Sequence, residues 1–259
     1  MHPNFTPFFM KKLLLFLPLF LMGMGMMMAQ NTMVVTAKDG SKTRFDVTKV
    51  NKVTWTDEKI PTAHEYVDLD LPSGTLWATT NVGAEKPEEV GLFIQWGDSQ
   101  AYESDEKSFS WYTYKWCNNA RTSLLKYNPL PSFGKTDDES WLQLADDAAY
   151  VNWGEDWRTP SKEQMEELMD DNYTKKEYIK QEKAYKLTSL KNGNSIYFPA
   201  SGLCDGSLER KDDFYYWTRT LNLQAPDYAY QLIMGEGYYI KVQCDFSRRC
   251  GMVVRPVRR

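Results

Sequence analysis

Apolar and polar residues alternate along Tyr66-Val67-Asp68-Leu69-Asp70-Leu71, the period-two pattern of a strand with one buried face. Pro72-Ser73-Gly74 then turns the chain, and Leu76-Trp77-Ala78 resumes an extended stretch. Helical spacing is clearest over residues 163–171, where Met165, Leu168 and Met169 recur behind Thr159-Pro160-Ser161. Ser161 and Gln164 occupy capping-box positions, in which each side chain meets a backbone N–H left open at the helix start. A shorter helix is expected over residues 141–150. Beyond Tyr185 the pattern is strand-like, over 195–198, 215–220, 229–234, 238–244 and 251–257. Helices in the middle and strands late describe an α+β domain and not a parallel α/β sheet. Residues 99–140 are polar, aromatic and loop-rich, without sustained period.

Upstream, residues 33–38 and 42–47 flank Asp39-Gly40, a hairpin signal because Gly accepts positive φ. Val50, Val53 and Trp55 add a third short extended piece. Residues 30–58 therefore read as a small β unit, too short to bury a core alone. Residues 59–65 read as a linker and residues 66–259 as the main domain. At the start of the chain, Lys11 and Lys12 precede an uncharged run of Leu, Phe and Met closed by Ala29. That is the n-region, h-region and small-residue cleavage site of a signal peptide over residues 1–29, with Met10 as an alternative start. A membrane anchor is the competing reading, but the stretch is short and Pro18, Gly23 and Gly25 weaken a spanning helix. The expectation is export to the periplasm, cell surface or medium, with no stable membrane span after cleavage.

Hydrophobic residues make up 42% of the 259 positions and aromatics 14%, enough for a substantial core. The formal charge of −4 is spread along the chain, and no basic patch with interleaved aromatics invites nucleic acid. Four cysteines are present, and Cys244 and Cys250 lie symmetrically about Ser247. A hairpin turning there would make them a candidate cross-strand disulfide. Without a C-x-x-C pair or an accompanying His, these cysteines do not suggest a metal site, and no cofactor is expected. The two histidines, His2 and His64, supply neither an H-E-x-x-H helix nor the base of a nucleophilic triad. The acidic runs at 137–139, 146–147, 170–171 and 212–213 read as caps and solvated loops, since sequence neighbours rarely span a glycosidase cleft.

A set of short motifs in order resembles the Fibrobacter succinogenes major paralogous domain. It runs through Val67-Asp68-Leu69, Leu71-Pro72-Ser73-Gly74, Trp77-Ala78, Asn81-Val82-Gly83-Ala84, Gly91 and Trp96-Gly97. It continues through Trp157-Arg158-Thr159-Pro160, Pro199-Ala200-Ser201-Gly202, Tyr216-Trp217 and Val254-Arg255-Pro256-Val257. The resemblance implies a C-type-lectin-like fold, distantly related to formylglycine-generating enzymes, with paired first and last strands: 67–71 beside 253–257. Asp70 stands where that family usually has Gly, and Asn128 where relatives often carry a partner for Cys117. The signature Trp residues (77, 96, 153, 157 and 217) and Arg158 and Arg255 read as core and loop ties. The calcium motifs of lectins are interrupted here, in Gln224-Ala225-Pro226-Asp227 and Val151-Asn152-Trp153.

The first functional expectation is a non-catalytic recognition module that binds a glycan or a surface protein. Trp111, Tyr112, Tyr114 and Trp116, in the loop-rich segment, are its candidate ligand-binding residues. An enzyme related to the formylglycine-generating oxidases is the alternative, with Cys244 and Cys250 as its superficial likeness. A structural subunit of a cell-surface complex, using residues 30–58 for assembly, is the third.

Overall fold

The computed structural model describes residues 32–36, 42–46, 64–154, 156–235 and 239–258. The signal-peptide expectation, the Asp39-Gly40 turn, the piece at 50–55 and most of the linker lie outside them. The chain divides into two compact units, Met1–Glu58 and Lys59–Arg259. In the first, β1 (Thr32–Thr36) and β2 (Lys42–Asp46) form an antiparallel pair with Thr36 opposite Lys42, as the sequence pattern leads one to expect.

The second unit is a mixed α+β structure of small antiparallel sheets with few helices. Its first sheet has the order β15-β4-β3, from Tyr66–Asp68 (β3), Leu76–Ala78 (β4) and Val257–Arg258 (β15). The first and last strands of the domain therefore share a sheet but do not pair with each other. Val67 and Val257 both face Trp77, on opposite edges of β4. The turn at 72–74 pairs β4 with β3, and the chain end adds to the free edge of β4, not to that of β3. Asp70, just before this turn, has φ of 51°, the left-handed region that Asp tolerates better than most side chains. A residue of that kind fits a position expected, from the resemblance, to hold Gly.

Three further sheets complete the unit. Ile94–Gln95 (β5), Leu203–Asp205 (β9), Ser207–Glu209 (β10) and Gly251–Met252 (β14) run in the order β10-β9-β14-β5. Gly251 lies against the ring of Phe109, which any added Cβ would strike. Phe214–Leu221 (β11), Ala229–Met234 (β12) and Ile240–Gln243 (β13) form a meander. Thr174–Ile179 (β6), Ala184–Ser189 (β7) and Ser195–Pro199 (β8) form another. β6, like β5, β7, β9 and β10, is not among the expected strands; as a sheet edge it carries charged Lys175 and Glu177, so no apolar run marks it.

Two helices pack on this frame. The first, Ala148–Trp153 (α1), starts later than expected, because Trp141 forms a bridge to Thr220 instead of entering a helix. The second, Lys162–Leu168 (α2), opens with the anticipated capping box, Gln164 N–H to Ser161 Oγ at 3.2 Å and Ser161 N–H to Gln164 Oε1 at 2.9 Å. Its buried Met165 and Leu168 join a core containing Leu69, Trp77, Phe198, Tyr216 and Val253. A second cluster holds Trp96, Tyr127, Trp157, Trp217, Met252 and Val254. Val253 and Val254 thus feed different clusters, as successive residues of an extended segment must. Trp96 donates from Nε1 to Thr218 O and Trp217 from Nε1 to Ile94 O, both at 2.8 Å, cross-tying β5 to β11.

Arg255 is fully buried, and no carboxylate among the described residues forms an ion pair with it. Its Nε donates to Asn81 Oδ1 at 2.7 Å, Nη1 to the carbonyls of Ala78 and Thr79 at 3.0 and 2.9 Å, and Nη2 to Tyr197 O at 2.9 Å. The Phe198 ring lies 4.6 Å from its Cζ. Burial pushes the guanidinium down to about 10, which still leaves it charged at neutral pH. Truncating Arg255 to Met would strand four acceptors in the interior. A loss of about 3 kcal/mol or more is expected from urea unfolding; a change under about 1 kcal/mol would show that the clamp carries little.

Candidate functional site

A cleft of ≈ 600 Å³ opens beside the start of α2. Its walls come from four distant segments: the β3–β4 turn (Ser73), residues 156–167, β11 (Arg219) and β15 (Val257, Arg258). Each wall is held from behind. Asp147 caps α1 through Ala149 N–H and accepts Thr159 N–H and Oγ1–H, fixing the segment that enters α2. Gln164 Nε2 donates to Thr75 Oγ1 at 2.9 Å, and Ser73 donates its N–H and hydroxyl to Glu167. These contacts pin the β3–β4 turn to the helix.

Three guanidiniums line the cleft, and all three rest on aromatic rings. Arg158 lies 4.6 Å from the Tyr150 centroid, Arg219 5.2 Å from Trp141, and Arg258 5.1 Å from Tyr66 and 5.6 Å from Trp157. Stacking fixes the plane of a guanidinium while leaving its edge N–H groups to bond. Arg258 spends one on Asp156 at 3.0 Å and Arg158 one on Trp157 O at 2.6 Å. Arg158, expected like Arg255 to tie loops, does donate to a backbone carbonyl, but it is half-buried and lines the cleft. Arg219 sits where the β11–β12 register shifts between Trp217 and Leu221. There its backbone bonds Pro160 O and Leu142 N–H instead of β12. Such an irregularity re-aims a side chain out of the sheet.

The sequence-derived ligand candidates do not form a platform. Tyr114 is buried and donates its hydroxyl to Trp96 O at 2.8 Å. Trp116 donates from Nε1 to Gly97 O at 2.7 Å, and Trp111 packs edge-on against Tyr114. Both flank a small cluster of Tyr114, Cys117 and Leu124. Tyr112 is the one that faces solvent, 81% exposed. The segment has spent its aromatics on holding itself together. Asn128, at the position where the resembled family often carries a partner for Cys117, donates to Lys135 O at 3.1 Å.

The disulfide expectation is also corrected. All four cysteines are free, and no hairpin turns at Ser247. β13 ends at Gln243, Ser247 bridges Tyr228, and Cys250 leads into a strand of a different sheet. Burial raises every thiol, Cys204 and Cys250 to about 12, so they stand protonated and weakly nucleophilic at neutral pH. His64 stacks on Trp153 with centroids 3.6 Å apart, and burial lowers its pKa. Trp153 is half-buried, whereas the other signature tryptophans are buried.

The acidic runs have local partners. Asp137 accepts Tyr127 and Asn128 N–H, and Asp170 accepts Asn172 N–H. Asp212 pairs with Lys183, and buried Asp146 is met by Lys115 at 3.0 Å, Lys126 at 2.7 Å and Tyr127 Oη at 2.7 Å. Among the described residues, no group of three His, Cys, Asp or Glu side chains is placed to hold a metal ion, and no helix is long and apolar enough to cross a membrane. Comparison with protein-family models, curated proteins and solved structures finds no match to the chain.

Two measurements check these assignments. Tyr112→Ala should change stability by less than about 0.5 kcal/mol and Tyr114→Phe should cost about 1 kcal/mol, in parallel chemical denaturation. Asp146 and Asp147 should differ in sign on the acid limb. For Asp146 burial raises the pKa, but the hydrogen bonds from Lys126, Tyr127 and Lys115 outweigh it and the net shift is down. Its stabilisation is therefore present above pH about 4 and lost as pH falls through the lower folded value. For Asp147 burial dominates and the shift is up, so its contribution runs the other way. Asp146→Asn should lower stability at pH 7 and flatten the loss between pH 5 and 2; an unchanged acid limb would refute the assignment.

Proposed function

We propose that the protein is an exported, non-catalytic recognition module. In this reading it binds a glycan or a surface protein on a C-type-lectin-like scaffold. The cleft beside α2 carries the proposal: hydrogen-bonding groups of both signs are pre-positioned there by ring stacking, capping and cross-ties. Pre-positioning of this kind lowers the ordering cost of binding a polar ligand. The sharing of one sheet by the first and last strands supports the lectin-like reading, as do the tryptophan cross-ties within the signature. Chemistry of the formylglycine-generating type would instead call for activated thiols, and the thiols here are pushed toward their protonated form. The recognition site therefore moves from the 111–116 segment to the cleft.

The test is an array of glycans and surface proteins probed with the chain, with and without a calcium chelator. Binding that survives chelation and is unchanged in Cys244→Ser and Cys250→Ser is the expected result. Turnover of a cysteine-containing peptide, lost in those variants while the fold persists, would establish the enzyme instead.

A further inference from the structure

Arg219 differs from its two neighbours in the cleft. Its side chain is anchored by Trp141 alone: it has no ion pair or side-chain hydrogen bond among the described residues, and its Nε is buried without an acceptor. The remaining donors, on its terminal nitrogens, belong to a side chain that lines the cleft. A guanidinium resting 5.2 Å from a ring centroid, with donors on its terminal nitrogens unspent, suits a planar, bidentate oxyanion, and a carboxylate matches that fork.

The acidic groups around it leave room for one. Asp156 is engaged by Arg258, and Glu167 takes the backbone and hydroxyl of Ser73. Glu163, on the first turn of α2, is exposed and forms no ion pair with Arg219. What accompanies the carboxylate is set by the rest of the lining. Among the described residues that line it, Val257 is the single aliphatic one, so the lining favours a polar ligand over an apolar peptide side chain. Ser73, Ser161, Glu163 and Gln164 offer oxygens and an amide suited to hydroxyl groups. Trp141, 55% exposed, supports Arg219 from outside the lining of the cleft.

We propose that this cleft binds a carboxylated saccharide, a uronic-acid unit, with its carboxylate on Arg219 and its hydroxyls among Ser161, Glu163 and Gln164. The inference rests on the recognition reading above and gives it a site and a ligand class.

The test titrates the full chain with an oligogalacturonate and with its methyl ester, which keeps the sugar and removes the charge. Calorimetry should show the acid binding at least about tenfold more tightly than the ester, and Arg219→Gln should lose that preference. Arg219→Lys, which keeps the charge without the fork, should fall between. In the wild-type chain the Arg219 Nε–H resonance, assigned by its absence from Arg219→Lys, should shift with the acid and not the ester; this arm stands even if Arg219→Gln fails to fold. Equal binding of acid and ester, or full binding by a folded Arg219→Gln, overturns the site while leaving glycan recognition intact. Inorganic phosphate that binds as tightly as the saccharide overturns the saccharide assignment. Binding of neither sugar overturns the inference, and the recognition reading falls with it only if the array is blank too.

Discussion

A buried positive charge with no counter-ion among the described residues organises this domain. Arg255 enters the interior two residues before the last strand, and its charge is dispersed over an amide oxygen, three backbone carbonyls and an aromatic face. The acceptors come from the end of β4, the loop after it and β8. The guanidinium is satisfied only when all three are in place. Its position makes the chain end a keystone: the segment from Gly251 to Arg258 contributes to two sheets and both apolar clusters.

Arg248 repeats the device at the other end of the same segment. Fully buried, it donates to Tyr127 O and Lys126 O at 2.8 Å and lies over Trp96 and Tyr114. Burial lowers its pKa as well. One arginine thus ties the scaffold to its first sheet and the other ties it to the long loop. Backbone carbonyls accept in both cases, so the loop can vary in side chains without losing its anchor. The cleft uses a different arrangement, with guanidiniums beside aromatic rings near the surface.

What the sequence made legible follows from how local each determinant is. The capping box needs only Ser161 and Gln164, three residues apart, and it appears as expected. The β1–β2 hairpin and β12 are marked by their own periodicity. The β15-β4-β3 order needed knowledge of which strand claims the inner edge, a matter of turn length and not of pattern. β6 was hidden because a charged edge strand looks like a loop. The cleft was illegible for a stronger reason: Ser73, Arg158, Arg219 and Arg258 meet only after four segments fold together. The aromatic run at 111–116 drew attention by density, yet density alone does not separate side chains that pack from those that bind. The one signal available for Arg219 was its place within the Tyr216–Leu221 stretch, where a polar triplet, Thr218-Arg219-Thr220, interrupts a buried strand.

The free thiols have a consequence for how the chain reaches this state. Its core closes through tryptophan and arginine ties, none of which involves electron transfer. Forming that core therefore requires no disulfide. With Cys117, Cys204 and Cys250 sealed inside once the core forms, the redox poise of the surroundings reaches the finished domain through half-buried Cys244.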